Sequence, residues 1–281
     1  MFWFWKHRDQ VSFSLNQLYK AIPLSKQSIH EWIDRQFTIK DEWEQLVPVI
    51  RSIREEHPGL SARKLYGMIQ PQAFGRDKFI DLCMQCGFRL EMKRNEIKTT
   101  NSLGVTRFPN LIKSKCVKRV NQVWVSDITY YRISERIYFI TFIMDLKSRF
   151  IVGYYVSKTL ATEDTTIPAL KKAILMNTNT KGLILHSDGG GQYYCKEYLT
   201  LTKKHGIRNS MTNDTGENNY AERINGTIKN QYLSGYMPTT FDDLVKQTAR
   251  AVKNYNFGRP HDSLKLSTPA VIYGYQQKVS Y

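Results

Sequence analysis

The spacing of apolar residues changes near residue 121, from helical in the N-terminal part to strand-like beyond it. Before this point apolar residues recur every three or four positions, as in Leu15, Leu18 and Ile22, which predicts amphipathic helices. Beyond it, short runs rich in β-branched and aromatic residues are separated by turn residues, which predicts strands. The pattern therefore predicts helical domains followed by a mixed α/β domain.

Residues 1–40 are predicted to form an N-terminal helix-turn-helix. Pro23 ends a first helix, and Ser25 is a suitable N-cap for a second one. The inward face of the second helix carries Ile29, Trp32 and Ile33. Its polar face carries three candidate DNA contacts, Lys26, Gln27 and His30. The alternative is an ordinary helical hairpin with a solvated polar face.

Residues 41–90 are predicted to form a second helical DNA-binding domain of three helices. Four cations on its helices are candidate phosphate contacts: Arg63, Lys64, Arg76 and Lys78. Residues 91–120 hold eight Lys or Arg against two Glu, which predicts a basic linker along DNA. The candidate contacts in this linker are Lys113, Lys115, Lys118 and Arg119. A linker that only adds solubility is the alternative.

Residues 121–235 alternate between strand and helix patterns, and residues 236–281 form a C-terminal helical extension predicted to pack on this part. Strands are predicted at 121–131, 136–146, 149–157, 182–188 and 207–212, and helices at 162–177, 196–206 and 218–233. Three strands followed by helices and strands in turn indicate a mixed α/β sheet.

The charge balance indicates a polyanionic partner. The chain of 281 residues has 41 Lys and Arg against 25 Asp and Glu, a formal net charge of +16. Nucleic acid is the first candidate partner and an anionic membrane surface the second. The longest apolar run, residues 137–144, is far shorter than the roughly 20 residues of a spanning helix, and no signal peptide is visible at the N-terminus. We therefore expect no membrane partner and a cytoplasmic, nucleoid-associated protein.

Two aspartates lie on predicted strands where they could meet at one edge of the sheet. Asp127 lies inside the first strand, and Asp188 ends the fourth, directly before three glycines. If these strands are neighbours, the two carboxylates repel each other unless a cation lies between them. Oxygen-rich sites of this kind favour Mg²⁺ or Mn²⁺. The alternative is that one acid makes local hydrogen bonds and the other forms an Asp-Gly turn.

A third acid, Glu222, lies on the helix predicted after the fifth strand. Asn225 and Lys229 are three and seven residues further on and share its face, so both are candidate DNA contacts. Together Asp127, Asp188 and Glu222 could hold two metal ions per active site. The alternatives are an ordinary surface ion pair for Glu222, and Glu217 as the third acid.

Two residues beside the glycines, Gln192 and Tyr193, are also candidate DNA contacts. Their alternative is packing against the next helix.

Five ordered segments resemble the OrfB-type DDE transposases of the insertion-sequence-three family, within the retroviral-integrase superfamily. They read WVSDITYY, MDLKSRFIVGYY, LHSDGGGQYY, NNYAERINGTIK and YNFGRPHDSLKLSTPAVIY. The resemblance implies an RNase H-like core with Asp127, Asp188 and Glu222 as the DDE residues. It also implies a Mg²⁺-dependent polynucleotidyl transferase that binds terminal inverted repeats of double-stranded DNA, cleaves there and transfers the strand to target DNA.

The interval between the second and third acids is slightly shorter than is usual in the family, with residues 189–221 lying between them. Asp145 also matches a recurrent family acid, and we expect a structural role for it because it lies at the far end of the second strand. Because transposition joins two ends, we expect at least a dimer on DNA. The alternatives are a DNA-binding regulator that has lost catalysis, and an RNase H-like nuclease that cuts without joining.

Overall fold

A computed structural model of the chain describes residues 7–12, 14–21, 25–90, 107–113, 116–212 and 218–275. The chain divides into two compact units. We call the described residues up to 55, together with 61–90, the helical unit. The sheet unit consists of residues 56–60 and everything described from residue 107 onward. Among the described residues, no helix combines the length and apolarity needed to cross a membrane.

The helices that begin in the helical unit are α1 (Leu15–Ala21), α2 (Lys26–Glu56), α3 (Ala62–Ile69) and α4 (Arg76–Gln85). The 31 residues of α2 form one helix, which crosses residues 40 and 41 where the sequence pattern placed a boundary between two domains. The helix also continues through Pro48, which removes one backbone hydrogen bond. Trp43 and Ile50 on either side of this proline are buried, so packing outweighs the lost bond.

The core of the helical unit explains why one inward-facing prediction is wrong. Ile29 and Ile33 are four residues apart on one face of α2 and are 3% and 1% exposed, whereas Trp32 is 46% exposed. Trp43 instead supplies the central aromatic ring. Its ring centroid lies 5.8 Å from that of Phe79, in an edge-to-face arrangement.

The sheet unit contains β1 (Val123–Ile133), β2 (Arg136–Asp145), β3 (Ile151–Ser157), α5 (Thr166–Met176), β4 (Ile184–Ser187), α6 (Lys196–Lys204), β5 (Arg208–Met211), α7 (Asn219–Thr227), a π-helical segment (Ile228–Leu233), α8 (Phe241–Phe257) and α9 (Pro269–Tyr273). Five strands form one sheet in the order β3-β2-β1-β4-β5. The first three strands pair antiparallel, and β4 and β5 are parallel to β1. This mixed α/β sheet has the RNase H-like arrangement that the sequence predicted.

Helices cover both faces of the sheet because successive residues of β1 point to opposite sides. Val123 and Val125 belong to a core that also contains α7, the π-helical segment and α8. Trp124 belongs to a second core, formed with α5 and α6. In this second layer α5 lies so close to β3 that a Cβ on Gly153 would be 2.4 Å from the carbonyl oxygen of Ala169.

The side-chain amide of Asn256, in the C-terminal extension, forms hydrogen bonds with the backbone of the edge strand β3. Asn256 is 3% exposed, and its Oδ1 accepts a 2.9 Å hydrogen bond from the amide of Ile151. Its Nδ2 donates a 3.0 Å bond to the carbonyl of the same residue. Asn256 therefore completes the backbone bonding of Ile151 at the end of a strand, as a neighbouring strand would.

We expect Asn256→Ala to lower the free energy of unfolding by about 1–3 kcal/mol, because the polar backbone groups of Ile151 would lose their partner in a buried place. Urea unfolding followed by circular dichroism measures the change. The matched control is Asn179→Ala, at an exposed position. Equal stability of the two variants would contradict the assigned role.

Residues 56–60 pack on the π-helical segment. The amide of Gly59 donates a 2.8 Å bond to the carbonyl of Gln231, and a Cβ on this glycine would lie 2.3 Å from the Cβ of Gln231. His57 is 6% exposed, and its Nδ1 lies 2.9 Å from the hydroxyl of Tyr232. Burial, followed by the positive charge of Arg259, lowers the pKa of His57 to about 4. His57 is therefore neutral in the folded protein at pH 7.

The stability of the sheet unit should depend on pH through His57. Its folded pKa lies below its unfolded pKa of about 6.5, so its contribution is complete above pH 6.5 and is lost as the pH falls towards 4. Between about pH 7.5 and about pH 5 we expect the wild type to lose roughly 1–2 kcal/mol more than His57→Gln, which cannot be protonated. Urea unfolding at the two pH values measures the difference, and parallel losses would contradict the prediction.

Candidate active site

The two aspartates meet because β1 and β4 are neighbouring parallel strands. Val125 pairs with His186 in the register of these strands. Asp127 and Asp188 each follow two residues later, so they occupy equivalent places where β4 has just ended. Neighbouring strands are about 4.8 Å apart, and residues at the same level of parallel strands point to the same side. The pairing therefore brings the two carboxylates to one edge of the sheet.

Helix α7 packs over this edge and carries Glu222. Ala221 and Ile224 are 1% and 3% exposed in the core, which fixes the inward face of the helix. Asn218 donates a 3.3 Å bond to the carbonyl of Ser126, next to Asp127. Asn225 donates a 2.8 Å bond from Nδ2 to Oδ2 of Asp127. Glu222, between these contacts, is exposed.

The environment of Asp127 is unfavourable for a negative charge. Burial is the main cause that raises its pKa, to about 8, and the charges of Asp188 and Glu222 raise it further. Hydrogen bonds from the amide of Ile128, 2.9 Å from Oδ1, and from Asn225 act in the opposite direction. Burial also raises the pKa of Asp188, and the amide of Gly190, 3.1 Å from its Oδ1, partly offsets this.

Protein cations do not compensate these acids. Among the described residues, no ion pair involves Asp127, Asp188 or Glu222. In the same part of the chain, no three His, Cys, Asp or Glu side chains form a group that could hold a metal ion. The charges of Asp188 and Glu222 thus act on Asp127, but among the described residues the three side chains are not gathered into one metal-binding group. Glu217, the alternative third acid, lies outside the described residues.

The residues fit a hard divalent cation by their chemistry. All three donors are carboxylates, the donor type that Mg²⁺ and Mn²⁺ prefer. Two of them are partly buried with raised pKa values and no cationic partner among the described residues. A divalent cation between them would remove the repulsion that raises the pKa of Asp127.

Two family models match most of the sheet unit. One model of the integrase core domain matches residues 117–214, and a second integrase core domain model matches residues 205–269. Together they extend over more than half of the chain. The chain belongs to the integrase-core family.

Proteins that resemble this chain do so over different lengths. A 31 kDa protein of insertion element IS600 from Shigella sonnei is 27% identical over 260 residues, covering 88% of this chain and 94% of that protein. The transposase InsF of insertion sequence IS3A from Escherichia coli K12 is 35% identical over 92 residues, covering 33% of this chain and 32% of InsF. The catalytic core domain of HTLV-2 integrase, solved in complex with magnesium, is 22% identical and covers 55% of this chain and 97% of that domain, with a TM-score of 0.46.

Two of the predicted DNA contacts are buried side chains that contact other residues of the candidate site. Tyr193 is 2% exposed, with its hydroxyl 3.0 Å from Oγ of Ser126 and its ring edge-to-face with Tyr198 of α6. The prediction for Tyr193 is therefore wrong, and packing against the next helix is confirmed. Asn225 is 7% exposed and bound to Asp127, which makes it a support of the carboxylate and not a phosphate contact.

Two other predicted contacts near the acids remain accessible. Lys229 is half-buried, with Nζ 3.9 Å from the centre of the Tyr130 ring, and burial lowers its pKa. Gln192 is partly exposed, and its Nε2 donates a 3.3 Å bond to the carbonyl of Leu160. Both stay predicted DNA contacts.

The basic linker is described only in part. Lys113, Lys118 and Arg119 are exposed, whereas Lys115 lies outside the described residues. In the helical unit, Lys26, Gln27, Arg63, Arg76 and Lys78 are exposed and Lys64 is partly exposed. Some of these side chains already have contacts within the unit: Gln27 with Glu31, Arg76 with Asp77, and His30 with the hydroxyl of Tyr19. All of them stay predicted contacts.

The sequence analysis did not identify Ser126 and Asn218, whose hydrogen bonds hold the surroundings of the acids in place. Ser126 and Asn218 hold the start of α7 and the Tyr193 ring against β1. Asn218 and Asn225 are seven residues apart, hence on one helical face, and this spacing was the only signal available in the sequence. The identity of their partners depends on the β1–α7 packing, which a linear pattern does not contain.

We expect Mg²⁺ to stabilise the sheet unit through the three acids, by about 1–3 kcal/mol at saturating concentration. Asp127→Asn should be more stable than the wild type without metal, because the carboxylate repulsion is gone, and should gain little from Mg²⁺. Thermal unfolding with and without the ion measures both effects. The control is Glu163→Gln, which changes an exposed acid. An equal gain in wild type and Asp127→Asn would exclude Asp127 as a ligand.

Proposed function

We propose that the chain binds the terminal inverted repeats of an insertion sequence and catalyses Mg²⁺-dependent cleavage and strand transfer at these ends. The observation that carries the proposal is the parallel β1–β4 register, which sets Asp127 beside Asp188, in a chain of the integrase-core family. The charges of both Asp188 and Glu222 act on Asp127. The net charge of +16 suits a nucleic-acid substrate.

Asp127, Asp188 and Glu222 would hold Mg²⁺ or Mn²⁺, two ions per active site. When bound, these ions supply activation of the attacking water or 3′-hydroxyl and stabilisation of the leaving oxygen. The protein contributes the position of each ligand. The amide of Ile128 and the Nδ2 of Asn225 each bind one oxygen of Asp127, which fixes the carboxylate plane.

The glycines after Asp188 keep space free beside its carboxylate. A Cβ on Gly190 would lie 3.1 Å from Oδ1 of Asp188, whereas a Cβ on Gly189 would meet only the sulfur of Met211, at 3.9 Å. The amide of Gly190 also binds the carboxylate. Glycine at these positions therefore lets a nucleic-acid backbone come close and keeps Asp188 oriented.

Lys229 follows Glu222 along the same face and would position a backbone phosphate leading to the acids. Its Tyr130 contact holds the ammonium group beside β1. The helical unit, with Lys26, Gln27, His30, Arg63, Lys64, Arg76 and Lys78, would recognise the inverted repeats. Because two ends are joined in transposition, the active species would be at least a dimer on DNA.

We expect Asp188→Asn to bind end DNA as the wild type does and to lose cleavage and joining by about 1000-fold or more, because a metal ligand is removed without a change of shape. The assay follows Mg²⁺-dependent joining of labelled DNA from the end of the element to a plasmid. Glu163→Gln, at an exposed acid outside the site, is the control and should join normally.

The same assay separates the other readings of the chain. Joining by Asp188→Asn at the wild-type rate would remove this residue from the mechanism. Cleavage without joining by the wild type would indicate a nuclease, and binding without cleavage would indicate a regulator.

A further inference from the structure

A basic groove lies on the sheet unit beside α7. Its volume is about 910 Å³, and its walls come from residues 110–113, Val117, the turn after β2, the first turn of α7, residues 263–265 and Ile272. Five cations line it: Lys113, Lys147, Arg149, Arg223 and Lys265. None of the described lining residues is acidic. A groove lined by one sign of charge attracts a polyanion.

Arg149 is held in this wall by a buried turn. Asp145 is fully buried, and its carboxylate accepts bonds of 2.8 and 2.6 Å from the amide and hydroxyl of Ser148 and of 2.7 Å from the amide of Asn121. The turn ends with Arg149 at φ +64°, a left-handed conformation that a residue with a side chain rarely adopts. Strained backbone of this kind is retained mainly where the surroundings or the function require it.

An aromatic ring in the wall of the groove holds the Arg149 side chain in place. Its guanidinium carbon lies 4.2 Å from the centre of the Tyr220 ring, on the first turn of α7. Its Nη1 is buried and has no hydrogen-bond partner within the described part of the chain. A guanidinium that lines a basic groove and is held against an aromatic ring presents oriented donors to a phosphate oxygen.

The groove borders the helix that carries the third acid. Tyr220 and Arg223 line the groove, and Glu222 lies between them in the sequence of α7. The opposite side of the helix contacts β1 through Asn225 and Asp127. A strand lying in the groove would therefore pass along the first turn of α7, beside the residues on either side of Glu222 in the sequence.

We propose that this groove binds the phosphodiester backbone of DNA flanking the scissile phosphate, with Arg149 as a phosphate contact preoriented by Tyr220. The inference rests on the proposed transposase function and adds a second strand-binding surface to it. Phosphate contacts carry no base information, so the groove should contribute equally to element ends and to unrelated duplexes.

The test uses Arg149→Gly in the full-length chain. Glycine adopts positive φ freely, so this variant removes the guanidinium while relieving the backbone, and it should keep the melting temperature of the wild type or exceed it. Lys265→Ala is the second groove variant. The two controls are Ser134→Gly, an exposed position with φ +51° in the β1–β2 turn, and Lys204→Ala, an exposed cation of α6 outside the groove.

Fluorescence anisotropy with labelled duplexes, one carrying the element end and one unrelated, gives the affinity at several salt concentrations. Each groove variant should bind both duplexes severalfold more weakly. The slope of log affinity against log salt should fall by about 0.9 for each lost phosphate contact. Both controls should retain the affinity and slope of the wild type.

Measuring DNA binding and DNA joining in the same protein tests the groove and the proposed catalytic function separately. If the wild type joins DNA and the groove variants bind DNA as the controls do, the groove is not a DNA-binding surface. The proposed function is then unaffected. Weaker binding by the groove variants in a protein that never joins DNA would support the groove and refute strand transfer. A wild type that binds neither duplex would overturn both.

Discussion

The parallel pairing of β1 with β4 is the constraint on which the candidate site depends. The register that pairs Val125 with His186 also sets Asp127 level with Asp188, at a place where burial disfavours charge. Burial raises the pKa of both aspartates, and the charge of Asp188 raises the pKa of Asp127 further, so a proton or a cation would relieve the unfavourable charge. The backbone amides of Ile128 and Gly190 reduce this cost without neutralising it. This unfavourable charge at the sheet edge is the physical basis of the metal site that we propose.

The distribution of charge follows from the same requirement. Acids concentrated at one edge of the sheet would repel DNA, and a net charge of +16 over the whole chain compensates for this at a distance. Within the sheet unit the cations lie around the acids and not among them: Lys229 over Tyr130, and the basic groove on the other side of α7. Such a layout suits the nucleic-acid partner that we propose, and within the described part of the chain it leaves the three carboxylates without protein ion pairs.

Several polar residues in the segments that resemble the family stabilise the fold through buried hydrogen bonds and lie outside the proposed catalytic triad. Asp145 is fully buried and holds the turn after β2, which agrees with the structural role expected for it. Asn256 closes the backbone of β3. Arg259 is 6% exposed and bonds to Gln231 of the π-helical segment, which places it in the packing of the last helices. These three polar residues of the motifs are thus buried connections between elements, and each is hydrogen-bonded as buried polar groups usually are.

The sequence by itself determined the elements of the sheet unit, the positions of its three acids and the family, because alternation, helical spacing and glycine signals are local properties of the chain. It did not determine that α2 runs unbroken past residue 40, since the burial of Trp43 and Ile50 depends on distant aromatic rings. Only the tertiary structure decided that Tyr193 is buried and that Asn225 serves Asp127. It also decided that Arg149 stacks on Tyr220 across a groove. These outcomes depend on which side chains meet across the fold, and residues far apart in sequence meet only after the strands and helices have packed.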